Sequence, residues 1–186
     1  MKSLKCFCII GAILTIMLGT ISHFVYEWSG NNFFVGLFFP VNESTWEHMK
    51  LLFFPMFAYA LFAGKKIEEQ YPCIYNAMFT GILVGLALIP TLFYTYTGIL
   101  GFNIDWLNIA LYVISVLAAY YLVYRVAQNC AGKDSKWLRY VMYALLLAFM
   151  VFTVYPPNLG IFENAEFLGS VVANWLPKSV INLLSE

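Results

Sequence analysis

The sequence predicts an all-α integral membrane protein: a bundle of five transmembrane helices with an interfacial helix at the carboxyl-terminal end. The chain is 62% hydrophobic and 11% charged, with a mean hydropathy of +0.76, whereas soluble domains carry about 25% charged residues. Five apolar stretches each approach the roughly 20 residues that a helix needs to cross a bilayer core. A chain of 186 residues is expected to form one domain.

Each predicted span has boundary signals of its own. The spans cover residues 4–26, 45–64, 73–97, 105–128 and 137–155. The second begins after Ser44, a capping residue, and ends at Lys65. The third opens after Pro72 and the fourth at Asp105. The fifth ends before Pro156, whose nitrogen cannot donate to a continuing helix.

Two further segments are apolar but do not fit a span. The tail, residues 160–186, holds a shorter apolar run that Pro177 interrupts. It is expected to form an interfacial helix on the outer surface, with a sixth span as the alternative. The aromatic stretch 33–39, between the first two spans, is expected to lie in the interface or dip into it.

The basic residues predict the orientation. Eight of the ten Lys and Arg residues fall at alternate ends of successive spans: Lys2, Lys5, Lys65, Lys66, Arg125, Lys133, Lys136 and Arg139. Basic residues accumulate on the cytoplasmic side of membrane proteins, so we expect a multi-pass protein of the cell membrane with its amino terminus in the cytoplasm and its carboxyl terminus outside. All four cysteines fall near the same side, where free thiols are expected.

The partners expected from the sequence are membrane lipids. Nucleic acid is not expected, because the chain has no basic patch or arm and a formal net charge of zero. Ala77, Gly81 and Gly85 form a stripe of small residues in the third span, which allows helices to approach closely. The stripe serves either packing within the chain or a homo-oligomer seam.

The two histidines are predicted to lie side by side near the outer boundary. His23 lies about 27 Å along the first span from Lys5, at about 1.5 Å per residue. His48 lies about 26 Å along the second span from Lys65 on the same rise. They are the only histidines in the chain, and consecutive antiparallel helices carry them.

Imidazoles and carboxylates at one depth are the donors of a site for Zn²⁺ or another first-row divalent ion. His23, Glu27 and His48 are the predicted metal ligands, because His23 and Glu27 are four residues apart and share a helical face. Glu27, Glu43 and Glu47 compete for the oxygen positions, and a carboxylate left over is a candidate general base. Glu43 and Glu47 are therefore the predicted catalytic residues, and the predicted substrate-binding residues are Asn42, Lys50 and Tyr94.

Structural interpretations of the same residues stay open. Ser44 and Glu47 fit a capping box at the start of the second span, and Glu27 fits a solvated interfacial position. The leading functional interpretation is a metal-dependent membrane hydrolase or a proton-transfer enzyme acting on a lipid or amphiphile. The alternatives are a transporter or substrate-binding protein, a non-catalytic scaffold, and a haem protein with His23 and His48 as axial ligands.

Two runs of sequence carry a family resemblance. HFVYEWS at residues 23–29 and PVNESTWEHMKL at residues 40–51 resemble a family of small multi-spanning proteins from Gram-positive bacteria, catalogued as a domain of unknown function. The likeness is strongest over residues 23–55 and brings no activity with it. His23 and Glu27 also match the H-x-x-x-E pair of the sterol-isomerase-like membrane fold, a weaker similarity that implies proton-transfer chemistry.

Overall fold

The protein is helical throughout the residues that its computed structural model describes, 4–129 and 135–163. Six α-helices and one short 3₁₀ helix follow one another there: α1 Leu4–Trp28, α2 Phe33–Gly36, α3 Thr45–Gly64, α4 Ile74–Leu100, α5 Asp105–Gln128, α6 Lys136–Val154, and the 3₁₀ helix Gly160–Phe162. The described ranges contain no β-strand, so the predicted all-α class is confirmed.

Four of these helices, α1, α4, α5 and α6, are long and apolar enough to cross a membrane. The predicted second span, α3, has a suitable length of 20 residues. Its first turns carry Glu47, His48 and Lys50, which lower its hydropathy, so five spans stay a prediction. The 3₁₀ helix opens the predicted interfacial tail, and residues 164–186 of that tail lie outside the described ranges.

Helix α3 lies at the centre of the bundle, against α1, α4 and α6. Leu52, Phe53, Met56 and Ala60 are fully buried along it and form the middle of the core. Protein therefore surrounds α3 on most sides. A polar side chain on this helix is shielded from lipid by its neighbours, which is how charged residues within membrane bundles are usually accommodated.

The stripe of small residues is used inside the chain. A Cβ atom added at Gly81 would lie 2.6 Å from Val123 Cγ2 and 2.9 Å from the Ala119 carbonyl oxygen, both on α5. At Gly85 it would lie 2.7 Å from Leu52 Cδ1 on α3. These distances are too short for any side chain, so the stripe lets α4 approach α3 and α5. Ala77, Gly81 and Gly85 are all buried within the chain, which fits the packing role predicted for the stripe.

Tyrosine hydroxyls fix helix α1 to the rest of the bundle. Tyr59 donates a hydrogen bond to the Phe7 carbonyl at 2.8 Å, and Tyr112 donates to the Thr15 carbonyl at 2.7 Å. The Tyr120 hydroxyl lies 3.0 Å from Thr15 Oγ1. These three hydrogen bonds fix the height and the rotation of α1 relative to α3 and α5. They thereby fix the position of His23 on α1.

One expectation about the cysteines is wrong. Cys6 and Cys8 are free thiols, but Cys73 is disulfide-bonded. The positions of the thiols in the sequence indicated a compartment, whereas disulfide formation also depends on which thiols the fold brings within about 6 Å. The cysteines therefore give no independent support to the predicted orientation.

Candidate metal centre

The segment before α3 brings the first acidic ligand to the site. Ser44 is the N-cap of α3, and its Oγ accepts a hydrogen bond from the Glu47 amide at 3.3 Å. The predicted capping box is only half formed, because the Ser44 amide donates to Asn42 Oδ1 at 2.9 Å and not to Glu47. This short turn places Glu43 at the helix N-terminus, with its side chain 59% exposed.

Glu47 instead forms a buried ion pair with Lys50. Lys50 Nζ lies 2.7 Å from Glu47 Oε2 and donates to the Gly36 carbonyl at 2.9 Å. Glu47 Oε2 also accepts from the Val41 amide at 3.0 Å, and its Oε1 accepts from Thr153 Oγ1 of α6 at 3.0 Å. Glu47 is 2% and Lys50 1% exposed.

The pair therefore connects three parts of the fold: the segment from α2 to α3, α3 itself and α6. A buried charge is tolerated where it is paired and hydrogen-bonded, and both conditions hold here. Neither side chain lines the cavity described below. The structure places the predicted catalytic Glu47 and the predicted substrate-binding Lys50 in the packing of the segment that carries Glu43.

The two histidines meet around Glu43. The ring centroids of His23 and His48 are 5.3 Å apart, nearly edge to face. His48 Nε2 lies 3.3 Å from Glu43 Oε2, and His23 Nε2 lies 3.8 Å from Glu43 Oε1. One ligand atom from each of the three residues lies within 4.8 Å of the other two. The structure thus brings His23, Glu43 and His48 together from α1, the connecting segment and α3.

The main chain fixes the orientation of the His48 ring. His48 Nδ1 lies 2.9 Å from the Ser44 carbonyl oxygen. A carbonyl only accepts hydrogen bonds, so Nδ1 carries the proton. Nε2 then faces Glu43 and has either a second proton or a free lone pair. A hydrogen bond of this kind at the distal nitrogen is typical of metal-binding histidines, because it selects the tautomer and holds the ring.

The surroundings of Glu43 favour its ionised form. The hydrogen bond from His48 lowers the pKa of Glu43 below its ordinary value. Partial burial acts in the opposite direction, and the charges of His48 and His23 add to the lowering. Glu43 is thus held as a carboxylate, the form in which it binds a cation.

The remaining predicted site residues lie apart from this trio. Glu27 is exposed and lines a second, shallow cavity of about 400 Å³ beside Glu43, without joining the two imidazoles. Asn42 lines the same cavity, and its side chain caps the Ser44 amide. The Tyr94 hydroxyl donates to the Gly160 carbonyl at 3.1 Å, so it holds the 3₁₀ helix in place.

The trio opens onto a larger cavity of about 510 Å³ between α1, α3, α4 and α5. Its polar wall continues from the trio to a second set of residues at the α4–α5 turn, Asn103, Asp105 and Asn108. Its apolar wall is formed by Leu51, Ile89, Phe93, Ile109 and Leu111. A volume of this size is within the range of small-molecule binding sites, about 300–1,000 Å³.

Sequence reasoning missed this second polar set. The signal was available, since Asn103, Asp105 and Asn108 interrupt an otherwise apolar region at the turn between two predicted spans. Consecutive antiparallel helices place this turn at the same end of the bundle as His23. Tyr112 also lines the cavity, but a single tyrosine in an apolar helix gave no reason to predict this. Its hydroxyl donates to main-chain carbonyls of α1 and α3.

Comparison with known proteins gives one match. The model of a family of unknown function (DUF6512) matches residues 1–169 of the chain. No curated protein and no solved structure matches it. The predicted resemblance to a family of unknown function is confirmed by this match.

Proposed function

We propose a function from this site alone, because the chain belongs to DUF6512, a family of unknown function: the protein binds a divalent metal ion through His23, Glu43 and His48. The observation that carries the proposal is the convergence of three ligand atoms within 4.8 Å. Two imidazoles and one carboxylate are a common protein ligand set of catalytic zinc sites. Zn²⁺ is accordingly the ion we expect, with other first-row divalent ions as competitors.

The spacing of the donors supports a tetrahedral site. Metal–ligand bonds of about 2.0–2.1 Å place two tetrahedral ligands about 3.3 Å apart. The 3.3 Å between His48 Nε2 and Glu43 Oε2 matches this spacing, whereas His23 Nε2 is 3.8 Å from Glu43 Oε1. The three ligand atoms together lie within 4.8 Å, so the widest pair would need to close by up to about 1.5 Å on binding. The 35% exposed His23 and the 59% exposed Glu43 side chains leave room for this movement.

Three protein ligands leave a fourth position open, as in catalytic zinc sites. A divalent ion supplies a Lewis acid and lowers the pKa of a bound water. We therefore propose that the site hydrolyses a lipid or another amphiphile. Glu43 would act as a ligand and not as the predicted general base.

A metal-free proton-transfer pair is the second candidate. The 3.3 Å contact between His48 and Glu43 favours it, since an imidazole and a carboxylate in hydrogen-bond contact can exchange a proton with a substrate. The two candidates differ in a single measurable quantity, the metal content of the protein.

The test is elemental analysis of the purified protein after removal of metal with a chelator and reloading with Zn²⁺ or Co²⁺. We expect one ion per chain, and a tetrahedral absorption spectrum for Co²⁺. The substitutions His23→Ala, His48→Ala and Glu43→Gln each remove one ligand and should lower the affinity more than tenfold. Changes to residues that only hold the ligands in place by hydrogen bonds typically cost 10–100-fold.

Glu27→Gln is the matched control. Glu27 lies beside the same site and is exposed, but it is not one of the three converging ligands. It should leave the stoichiometry and the affinity unchanged. Failure of the wild-type protein to retain Zn²⁺, Co²⁺, Mn²⁺ or Ni²⁺ at stoichiometric level would refute the metal site and favour the proton-transfer pair. Loss of metal in Glu27→Gln but not in Glu43→Gln would assign the ligands as the sequence predicted.

A further inference from the structure

We propose that the 510 Å³ cavity binds a single-chain amphiphile whose head group carries hydroxyl or ammonium donors. The inference rests on the proposed function, because this amphiphile would be the substrate that reaches the open metal position. It specifies the ligand by the chemistry of the wall opposite the trio. It also specifies the route of entry, from the bilayer and not from water.

Hydrogen bonds within the far polar wall hold its amide side chains in place and occupy their oxygens. The Tyr96 hydroxyl donates to Asn103 Oδ1 at 2.7 Å and accepts from the Ile104 amide at 3.3 Å. Asn108 Nδ2 donates to the same Asn103 oxygen at 2.8 Å. These contacts fix the two amides on the cavity wall, where Tyr96 also reaches Asn108 Oδ1.

Asp105 stands between these amides and is the acceptor left for a ligand. It is exposed and lines the cavity, and no hydrogen bond reaches its carboxylate from any described residue. A carboxylate accepts only, so its complement is an N–H or O–H donor. This wall therefore suits a hydroxyl or ammonium group, which can replace water at the exposed Asp105 carboxylate, whereas a head group without donors cannot.

The cavity also has room and lining for a chain. Leu51, Ile89 and Phe93 form its inner apolar wall, and Ile109 and Leu111 continue it along α5. Burial of aliphatic carbon against such a wall contributes about 0.8 kcal/mol per CH₂. The volume of about 510 Å³ lies in the middle of the small-ligand range. This volume suits one chain and a head group better than a two-chain lipid.

The mouth of the cavity is continuous with the lipid-facing surface. Phe24 on α1 and Ile109 on α5 both line the cavity, and they are 46% and 62% exposed. Exposed apolar side chains on membrane-spanning helices face acyl chains. A ligand that crosses between them travels through an apolar gap, which an acyl chain can do at low cost and a water-soluble polar ligand cannot.

The charges at the two ends of the cavity differ in sign once a metal is bound. The trio and a divalent ion carry a net charge of +1, and Asp105 carries −1. A head group with an anionic oxygen next to a donor group matches both ends. Lysophospholipids with ethanolamine or glycerol head groups have this arrangement, whereas a choline head group has the same charge as ethanolamine but no terminal donor.

The experiment compares three lysophospholipids of equal chain length by native mass spectrometry of the Zn²⁺-loaded full chain. Lysophosphatidylethanolamine presents an ammonium group, lysophosphatidylglycerol a diol, and lysophosphatidylcholine a quaternary ammonium with no donor in the head group. All three share the free glycerol hydroxyl left by the missing chain, so this donor cancels in the comparison. We expect the first two to bind at least tenfold more tightly than the third. Asp105→Asn should reduce the preference for the ethanolamine head group, because the amide no longer provides an anionic acceptor.

Two tryptophan variants test whether the cavity is the binding site. Ile109→Trp fills the mouth of the cavity, and because the side chain is already exposed it should not disturb the core. It should abolish binding of all three lysophospholipids. Ile114→Trp is the control, since Ile114 is 51% exposed on the same helix but does not line the cavity. It should bind like the wild type.

Metal content is measured on the same samples. Equal binding of the three head groups, or binding that survives Ile109→Trp, would overturn the inference. Metal retained without any lysophospholipid binding would also overturn it and leave the metal site intact. Head-group-selective binding that Ile109→Trp abolishes would support the inference about the cavity. If the same protein held no metal, the proposed metal site would be refuted and the inference about the cavity would stand.

Discussion

At the scale of single residues, the pH dependence of metal binding should come from the imidazoles and not from Glu43. The contact with His48 lowers the pKa of Glu43, so this carboxylate stays ionised to below its ordinary pKa of 4.5. Glu43 is therefore in its ligand form throughout the range from pH 5 to 8.

We predict that the metal affinity falls as the pH is lowered from 8 to 5 and recovers when it is raised, because protons compete with the metal for the imidazole nitrogens. Equilibrium dialysis against Co²⁺ over this range measures the affinity directly. The fall should be steeper than for one competing proton, because the proposed site has two imidazole ligands. An affinity that is the same at pH 8 and pH 5 would show that the imidazoles are not ligands.

The choice of Glu43 over Glu27 illustrates how far sequence reasoning reaches at this scale. The rise per residue of the two helices predicted His23 and His48 at the same depth. Their rings are 5.3 Å apart in the structure. Periodicity also favoured Glu27, which shares a helix face with His23. Glu43 is the residue that joins the imidazoles, because the connecting segment folds back over the helix ends. The path of this segment depends on its tertiary contacts, which a local sequence pattern does not predict.

At the scale of elements, the Glu47–Lys50 pair holds the connecting segment in place. We predict that Lys50→Met, which leaves Glu47 buried without its partner, destabilises the protein by about 3–5 kcal/mol. The double variant Glu47→Gln/Lys50→Met removes both charges and should recover a large part of this loss. Thermal unfolding of the detergent-solubilised protein measures both. Additive losses in the double variant would argue against coupling between the two residues.

Two glycines in α4 provide an internal comparison of helix packing. We predict that Gly81→Ala destabilises the bundle by about 1–3 kcal/mol, because its Cβ would lie 2.6 Å from Val123 and 2.9 Å from the Ala119 carbonyl. Gly98→Ala in the same helix meets no atom within 4 Å. It should stabilise the helix by up to about 1 kcal/mol. Unfolding midpoints of the two variants should move in opposite directions.

The helix boundaries show which elements the sequence specifies locally. Helices α3 and α5 begin and end at the predicted residues, where Ser44 caps one and Asp105 opens the other. Helix α4 runs three residues beyond the predicted Thr97, to Leu100. Gly101, with φ of +81°, provides the left-handed C-cap there. The prediction ended α4 too early because it followed the apolar run and gave this glycine no weight.

At the scale of the whole molecule, the orientation in the membrane decides which compartment the site faces. We predict that Glu27→Cys, in a background without native cysteines, reacts with a membrane-impermeant maleimide in intact cells. Lys66→Cys, in the exposed turn between α3 and α4, should react only after lysis. The expected contrast follows from the positive-inside distribution of Lys and Arg. The reverse labelling pattern would place the metal centre in the cytoplasm.

The hydrogen bond between His48 and Ser44 has a consequence for evolution and engineering. The acceptor is a peptide oxygen, which every amino acid at position 44 would provide equally. A substitution at position 44 changes the side chain but keeps the carbonyl oxygen that orients the His48 ring. The ligand set can thus be altered by replacing His23 or Glu43, while His48 keeps its orientation.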